Sequence, residues 1–205
     1  MITVVDYGRG NLFSLARALE ALNRPFTITD QADEIGAAET IILPGVGAFG
    51  DAMGQLMAGG LDLALKDAAD RGARIVGICL GMQLLATKSE EFGDHAGLDL
   101  IPGEVRRLPA PTAPCDTRIP NMGWRRVQPQ GTAKLIDGGP DPAYFYFVHS
   151  FGFHAPDPDH VVGTITVNGA TIAAAVNRDN IWGCQFHPEK SGAVGLDLLD
   201  RLCRT

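Results

Sequence analysis

Residues 77–85 read Gly77-Ile78-Cys79-Leu80-Gly81-Met82-Gln83-Leu84-Leu85, with the cysteine two positions from a glycine on either side. The apolar run 74–78 reads as a buried strand, and residues 80–85 as the start of a helix. A G-x-C-x-G sequence at such a junction makes a sharp strand-to-helix elbow that holds the central side chain out at the turn. Glycine suits both flanking places because a side chain at either would crowd the strand against the helix. A thiolate at a helix N-terminus also gains from the free backbone N–H groups and the dipole, so Cys79 is a candidate nucleophile. The alternative is a small apolar cysteine closing a buried strand, where free cysteines usually sit.

Around the elbow the chain alternates. Residues 2–6, 26–29 and 40–43 read as short buried strands, and Leu12, Leu15, Leu19 and Leu22 recur at helical spacing between the first two. Leu61, Leu65 and Ala68 suggest a helix before the elbow strand, and Val194, Leu198 and Leu202 a closing one. Residues 144–148, 161–167, 171–176 and 181–186 read as strands, whereas 102–142 is rich in Pro and Gly and reads as loops and short strands. The expected fold is α/β: a central, mostly parallel sheet flanked by helices, carrying the elbow. With 205 residues, 45% of them hydrophobic and 20% charged, it fits one domain over 1–205.

Charge and targeting signals exclude several classes. A net charge of −7 without a basic cluster argues against nucleic acid as a partner. No charged leader precedes the first strand and no apolar run approaches membrane-spanning length, so a cytoplasmic location away from membranes is expected. Cys79, Cys115, Cys184 and Cys203 form no dense framework, as in a reducing compartment.

A thiol nucleophile needs a base. In Gly183-Cys184-Gln185-Phe186-His187-Pro188-Glu189 a strand runs into a loop, and Pro188 keeps the segment extended. His187 and Glu189, two apart, can then point the same way, the carboxylate orienting one imidazole nitrogen while the other faces the thiol. An isolated His-Pro-Glu is more often a surface turn; the elbow cysteine tips the balance. His149 is the rival base, but no acid stands near it in sequence, and a pocket-lining role suits it better. Cys184 and His187 have the spacing of half a zinc site without a second half, so no metal is expected.

The attacked carbonyl needs donors for its developing charge. Strand 40–43 feeds Pro44-Gly45-Val46-Gly47, whose glycines let backbone N–H groups approach a ligand, and the Leu80 amide follows the nucleophile directly. Gly45, Val46, Gly47 and Leu80 are therefore candidates for an oxyanion hole; a plain strand-to-helix turn is the alternative for 44–47. Such a hole matters at least as much as thiol ionisation. Full ionisation of an ordinary thiol gains roughly thirtyfold, about 2 kcal/mol, whereas one oxyanion donor is worth about 2.7–4 kcal/mol.

The set PGVG, GICLGMQLL and QFHPE, in this order and with about a hundred residues between elbow and His-Pro-Glu, resembles the class I, or triad, glutamine amidotransferases over essentially the whole chain. The resemblance implies Cys79 as nucleophile, His187 as general base and acid, Glu189 as its orienter, and Gln83 and Glu91 as residues that help hold glutamine. His149, Ser150 and Phe151 are expected to complete the substrate pocket; relatives often carry Tyr where this chain has Phe151. No cofactor is implied.

Asn121-Met122-Gly123-Trp124, the YFVHS run at 146–150, HPEKSG at 187–192 and the opening DYGRGNL at 6–12 are most similar to the glutaminase subunits of imidazole glycerol phosphate synthases, of histidine biosynthesis. Anthranilate-type amidotransferases more often carry His in place of Met82 and Ser in place of Lys190, and pyridoxal phosphate glutaminases lack the YFVHS strand. The resemblance implies a heterodimer with a cyclase subunit, a (β/α)₈ barrel that receives ammonia through a closed channel. Asn11, Trp124 and Lys190 are expected to face that subunit. Service to another ammonia-using synthase, or a scaffold or redox-sensing role without catalysis, are the other readings; an intact triad argues against the last.

Overall fold

The computed structural model describes residues 1–114, 116–130 and 143–204. Cys115 and the 131–142 part of the Pro- and Gly-rich stretch lie outside the described residues. Through the first half, strands and helices alternate: β1 (Ile2–Val5), α1 (Leu12–Ala21), β2 (Phe26–Thr29), α2 (Ala32–Gly36), β3 (Thr40–Leu43), α3 (Phe49–Ala58), α4 (Leu61–Asp70), β4 (Arg74–Ile78) and α5 (Leu80–Leu84). The second half is mainly β: β5 (Lys88–Ser89), β6 (His95–Ala96), β7 (Glu104–Arg107), β8 (Asn121–Arg126), β9 (Gln128–Pro129), β10 (Tyr144–His149), β11 (Phe151–His154), β12 (Val161–Val167), β13 (Ala170–Arg178) and β14 (Ile181–Cys184), closed by α6 (Gly192–Leu202).

The main sheet runs β2-β1-β3-β4-β14-β13-β11-β7-β5-β6, with β12 and β9 joined beside β13. Its first five strands are mutually parallel, and β4 and β14 are neighbours with Ile78 opposite Cys184. The two chain segments that carry the Cys79 and His187 motifs thus leave adjacent strands at the same edge, although about a hundred residues separate them. Beyond β14 the pairing turns mainly antiparallel. The strands β8 and β10 stand apart as an antiparallel ribbon.

Alternation along the parallel strands sends side chains to two cores. Ile2, Val4, Ile42, Val76 and Ile78 pack against α1 and α6, while Val5, Ile41, Leu43 and Ile75 pack against α3, α4 and α5. Burial on both faces explains why these strands are continuously apolar in sequence. Helix α3, not expected from the sequence, buries Phe49, Ala52, Met53 and Leu56 at helical spacing. Its glycines hide it from a propensity reading; at Gly50 a Cβ would meet the His95 ring, which packs there. Strand β11 was also unread: it is short, and its pairing with β7 and β13 supplies what its own pattern does not.

Candidate active site

Cys79 sits between β4 and α5 at φ 56° and ψ −109°, a conformation that costs a non-glycine residue about 1–3 kcal/mol and needs outside support. Its N–H donates to the Cys184 carbonyl at 2.8 Å, and its carbonyl accepts from Gln83 N–H at 3.3 Å. A Cβ on Gly81 would drive into the Leu43 carbonyl oxygen, and one on Gly77 would lie 2.6 Å from the Gly81 oxygen. Both glycines are there because backbone passes backbone at the elbow.

Opposite Cys79, the segment after β14 places Nδ1 of His187 2.8 Å from Oε1 of Glu189. The two side chains are 3% and 4% exposed, so the pair lies out of bulk water. His187 N–H also donates to the Tyr146 carbonyl at 2.9 Å, and the Ser191 hydroxyl donates to the His187 carbonyl at 2.6 Å, which clamps the backbone on both sides. Burial works against charge on this imidazole, but its neighbours Cys79 and Glu189 outweigh it and push its pKa up to about 9. Nε2 has no other hydrogen-bond partner among the described residues, which leaves it for the thiol and a substrate.

His149, the rival base, is held differently. Nδ1 lies 2.8 Å from the Phe151 carbonyl oxygen and Nε2 2.8 Å from Nδ2 of Asn121. Asn121 in turn accepts from Nε of Arg125 at 2.9 Å, so its amide nitrogen is the end that donates to His149. Burial lowers the His149 pKa to about 4, with His187 and Arg125 adding to the effect and the Phe151 bond opposing it. Neutral, with both nitrogens taken, His149 forms wall rather than base.

Val46, Gly47, Cys79, Leu80, Gln83, Glu91, Pro120, Val148, His149, Ser150, Phe151 and His187 surround a cleft of about 300 Å³. That is the low end of small-molecule sites, about 300–1,000 Å³. All five residues expected to hold substrate therefore line one cavity with Cys79 and His187. Besides His149, two more of them are already engaged. Gln83 donates both of its bonds inward, to the Phe151 carbonyl at 3.0 Å and to Oε1 of Gln185 at 2.9 Å. Glu91 accepts from the Phe49 N–H at 2.7 Å, at the start of α3, and burial raises its pKa despite that bond.

The 44–47 loop borders the cleft, but its amides are not all presented to it. Val46 N–H donates to the Arg9 carbonyl at 3.2 Å, and the Tyr7 hydroxyl holds the Pro44 carbonyl at 2.8 Å. Gly45 is wedged against Tyr7 and Leu80 and lines a small cavity behind the cleft instead. In this conformation the segment 7–9 draws the Val46 N–H, an expected oxyanion donor, away from the cleft. Leu80, first residue of α5, brings an amide that no carbonyl within its helix can satisfy.

Three further residues are expected at an interface. Asn11 caps α1, accepting from Ser14 N–H, and shares the small rear cavity with His187 and Glu189. Trp124 is half exposed and meets Tyr146 edge to face. Lys190 is exposed on the turn after His187.

The family model of class-I glutamine amidotransferases matches residues 3–200. This chain belongs to that family. Within the amidotransferases it stands beside curated imidazole glycerol phosphate synthase HisH subunits. That of Moorella thermoacetica is 48% identical over 198 residues, covering 97% of this chain and 91% of the relative. That of Desulfitobacterium hafniense is 46% identical over 200 residues, covering 98% and 92%. Solved structures agree on the fold: a glutamine amidotransferase superposes with TM-score 0.74 at 16% identity, covering 98% of this chain and 99% of that one. PurLQS from Thermotoga maritima gives 0.70 at 21%, covering 98% and 96%.

Three residues of this amidotransferase site escaped the sequence reading: Tyr7 and Asn121, which hold the loop and His149, and Gln185, whose Nε2 lies 3.8 Å from the Cys79 sulfur. Gln185 had a visible signal, since it precedes His187 by two and shares its face on an extended segment. Tyr7 and Asn121 stand in the motifs at 6–12 and 121–124, but nothing local shows their roles, because their partners lie 37 and 28 residues away. Among the described residues no group of three or more His, Cys, Asp or Glu is placed to hold a metal ion, and Cys184 packs in the core. No described helix is long and apolar enough to cross a membrane.

Proposed function

We propose that the chain is the glutaminase subunit of an imidazole glycerol phosphate synthase, with Cys79, His187 and Glu189 as its triad. The observation that carries this reading is the strained elbow cysteine facing a buried imidazole whose far nitrogen is held by a carboxylate. The Cys79 thiolate attacks the side-chain carbon of glutamine, and the charge that develops on its oxygen is met by the Leu80 amide and the 44–47 loop. Imidazolium His187 gives its proton to the departing nitrogen, releasing ammonia and leaving a glutamyl thioester on Cys79. His187, now neutral, takes a proton from water as the water attacks the thioester; glutamate leaves and the thiolate returns.

Ammonia let into bulk water would be protonated and lost as a nucleophile, so the product calls for a partner seated over the site. Exposed Phe13, Val46, Met122 and Trp124 supply an apolar rim near the triad, with Met122 and Trp124 on one face of β8. That rim, with Asn11 and Lys190, is the surface we assign to a cyclase subunit. The cyclase subunit uses the ammonia to make imidazole glycerol phosphate and aminoimidazole carboxamide ribotide, in the cytoplasm. With Val46 N–H held by Arg9, the lone chain should turn over glutamine slowly. Docking that frees one such donor is worth about 10²–10³ in kcat.

The test is glutamate release from glutamine by the chain alone and with the barrel cyclase plus its nucleotide ligand. Stimulation on the order of a hundredfold or more supports the assignment. Equal turnover in both, with Cys79 still labelled by a thiol-reactive glutamine analogue, keeps the glutaminase chemistry and points to another synthase.

A further inference from the structure

Besides His187, the Cys79 sulfur has two polar neighbours, and they favour opposite states. The Val148 carbonyl oxygen, 4.0 Å from Sγ, can only accept and so suits a thiol. Nε2 of Gln185, 3.8 Å from Sγ, donates and so suits a thiolate. The Gln185 amide is not free to turn round. Its Oε1 accepts from Nε2 of Gln83 at 2.9 Å, and the same Gln83 nitrogen donates to the Phe151 carbonyl at 3.0 Å. Because a carbonyl only accepts, Phe151 decides which way Gln83 faces, and Gln83 decides which way Gln185 faces. The Phe151 oxygen also takes the Nδ1–H of neutral His149, so both its lone pairs are used. Gln185 is fully buried, which keeps water from competing for its N–H.

We propose that Gln185 is a positioning residue for the nucleophile: its side-chain N–H, aimed through Phe151 and Gln83, stabilises the Cys79 thiolate and seats the sulfur for attack. The inference rests on Cys79 being the glutaminase nucleophile. One extended segment then presents both partners of the sulfur, donor at 185 and base at 187. The contact matters twice per turnover, when the thiolate attacks and when it leaves the thioester. The other titratable groups that feel its charge are Tyr7, Cys184 and His187; burial raises the first two, so they stay neutral across the working range.

The test is the rate at which iodoacetamide alkylates Cys79 in the full chain from about pH 6 to about pH 10, for wild type and Gln185→Met, with the site read by mass spectrometry. Methionine is close in volume and leaves Gln83 its bond to Phe151. The rate near pH 7 should fall about tenfold, with the gap closing at high pH, where any thiol is ionised. The kcat for glutamine should fall with it while KM changes little. A profile equal to wild type, or a loss of the same size at every pH, overturns the proposal. Gln185→Leu also removes the donor, with a side chain that cannot donate in any protonation state, and decides the question should the methionine variant not fold. It should react about as slowly as the methionine variant at neutral pH, and equality with wild type there overturns the proposal equally. If wild-type Cys79 resists alkylation and Cys79→Ala still hydrolyses glutamine, the nucleophile assignment itself falls, and this inference with it.

Discussion

The end of β10 and the loop after β14 each bring a buried histidine to the same cleft, and the two could hardly differ more. His149 is 6% exposed and His187 3%, yet the first is held near 4 and the second near 9. Burial pushes both down, so burial cannot be what separates them. Partners are. His187 meets Glu189 and Cys79, which reward a positive charge; His149 meets an amide N–H and a carbonyl, which together complete a neutral ring. A buried histidine carries charge here only where its neighbours outweigh desolvation.

The largest expected effect breaks the comparison outright. His187→Asn should lower kcat/KM for glutamine at least about a thousandfold, whereas His149→Asn should cost about tenfold or less, through the shape of the cleft. Steady-state glutamate release on both variants checks this. Loss of equal size would mean that His149 is part of the chemistry.

Glu189→Gln removes the charge and keeps the shape. Turnover near pH 7 should fall about ten- to a hundredfold, and the alkaline limb of the pH–rate profile should move below about pH 9, because imidazolium is no longer favoured by an anion. An unmoved limb would place the origin of the raised value in Cys79 alone.

Stability should carry the same contrast with opposite signs. The His187 value is raised, so its contribution is fully present below about 6.5 and lost as pH rises through about 9. The His149 value is lowered, so its contribution is present above about 6.5 and lost as pH falls through about 4. Each is worth on the order of 3 kcal/mol. Urea unfolding near pH 4, 7 and 10 should show the wild-type advantage over His187→Asn vanish at the alkaline end, and that over His149→Asn vanish at the acid end.

The smallest effect sharpens the comparison by making one histidine resemble the other. Asn121→Asp puts a carboxylate beside Nε2 of His149, which should raise its pKa by about one unit or more and flatten the acid limb of the stability curve. Histidine NMR titration reads the shift directly, and an unchanged value would mean that burial alone governs that ring.

Much of this was legible in one dimension. The elbow reads from its own nine residues because a strand, two glycines and a helix start are local features, and their steric reason is met at Gly81 against Leu43. His187 and Glu189 read as a pair because an extended segment puts alternate residues on one face. Helix α3 did not read, since its glycines lower propensity while its support comes from the opposing sheet and from His95.

The sequence by itself determined the inventory: a cysteine at an elbow, a histidine with a carboxylate two residues on, a glycine loop, and strands apolar enough to need cover on both faces. Only the tertiary structure decided the state of each group. What keeps His149 neutral, which way Val46 points its N–H, and which end of Gln185 meets the sulfur all depend on contacts spanning 28 to 106 residues. Hydrogen bonds and charges act over a few ångströms of space whatever the distance along the chain, so these choices exist only once segments distant in sequence, β4 and β14 among them, lie side by side.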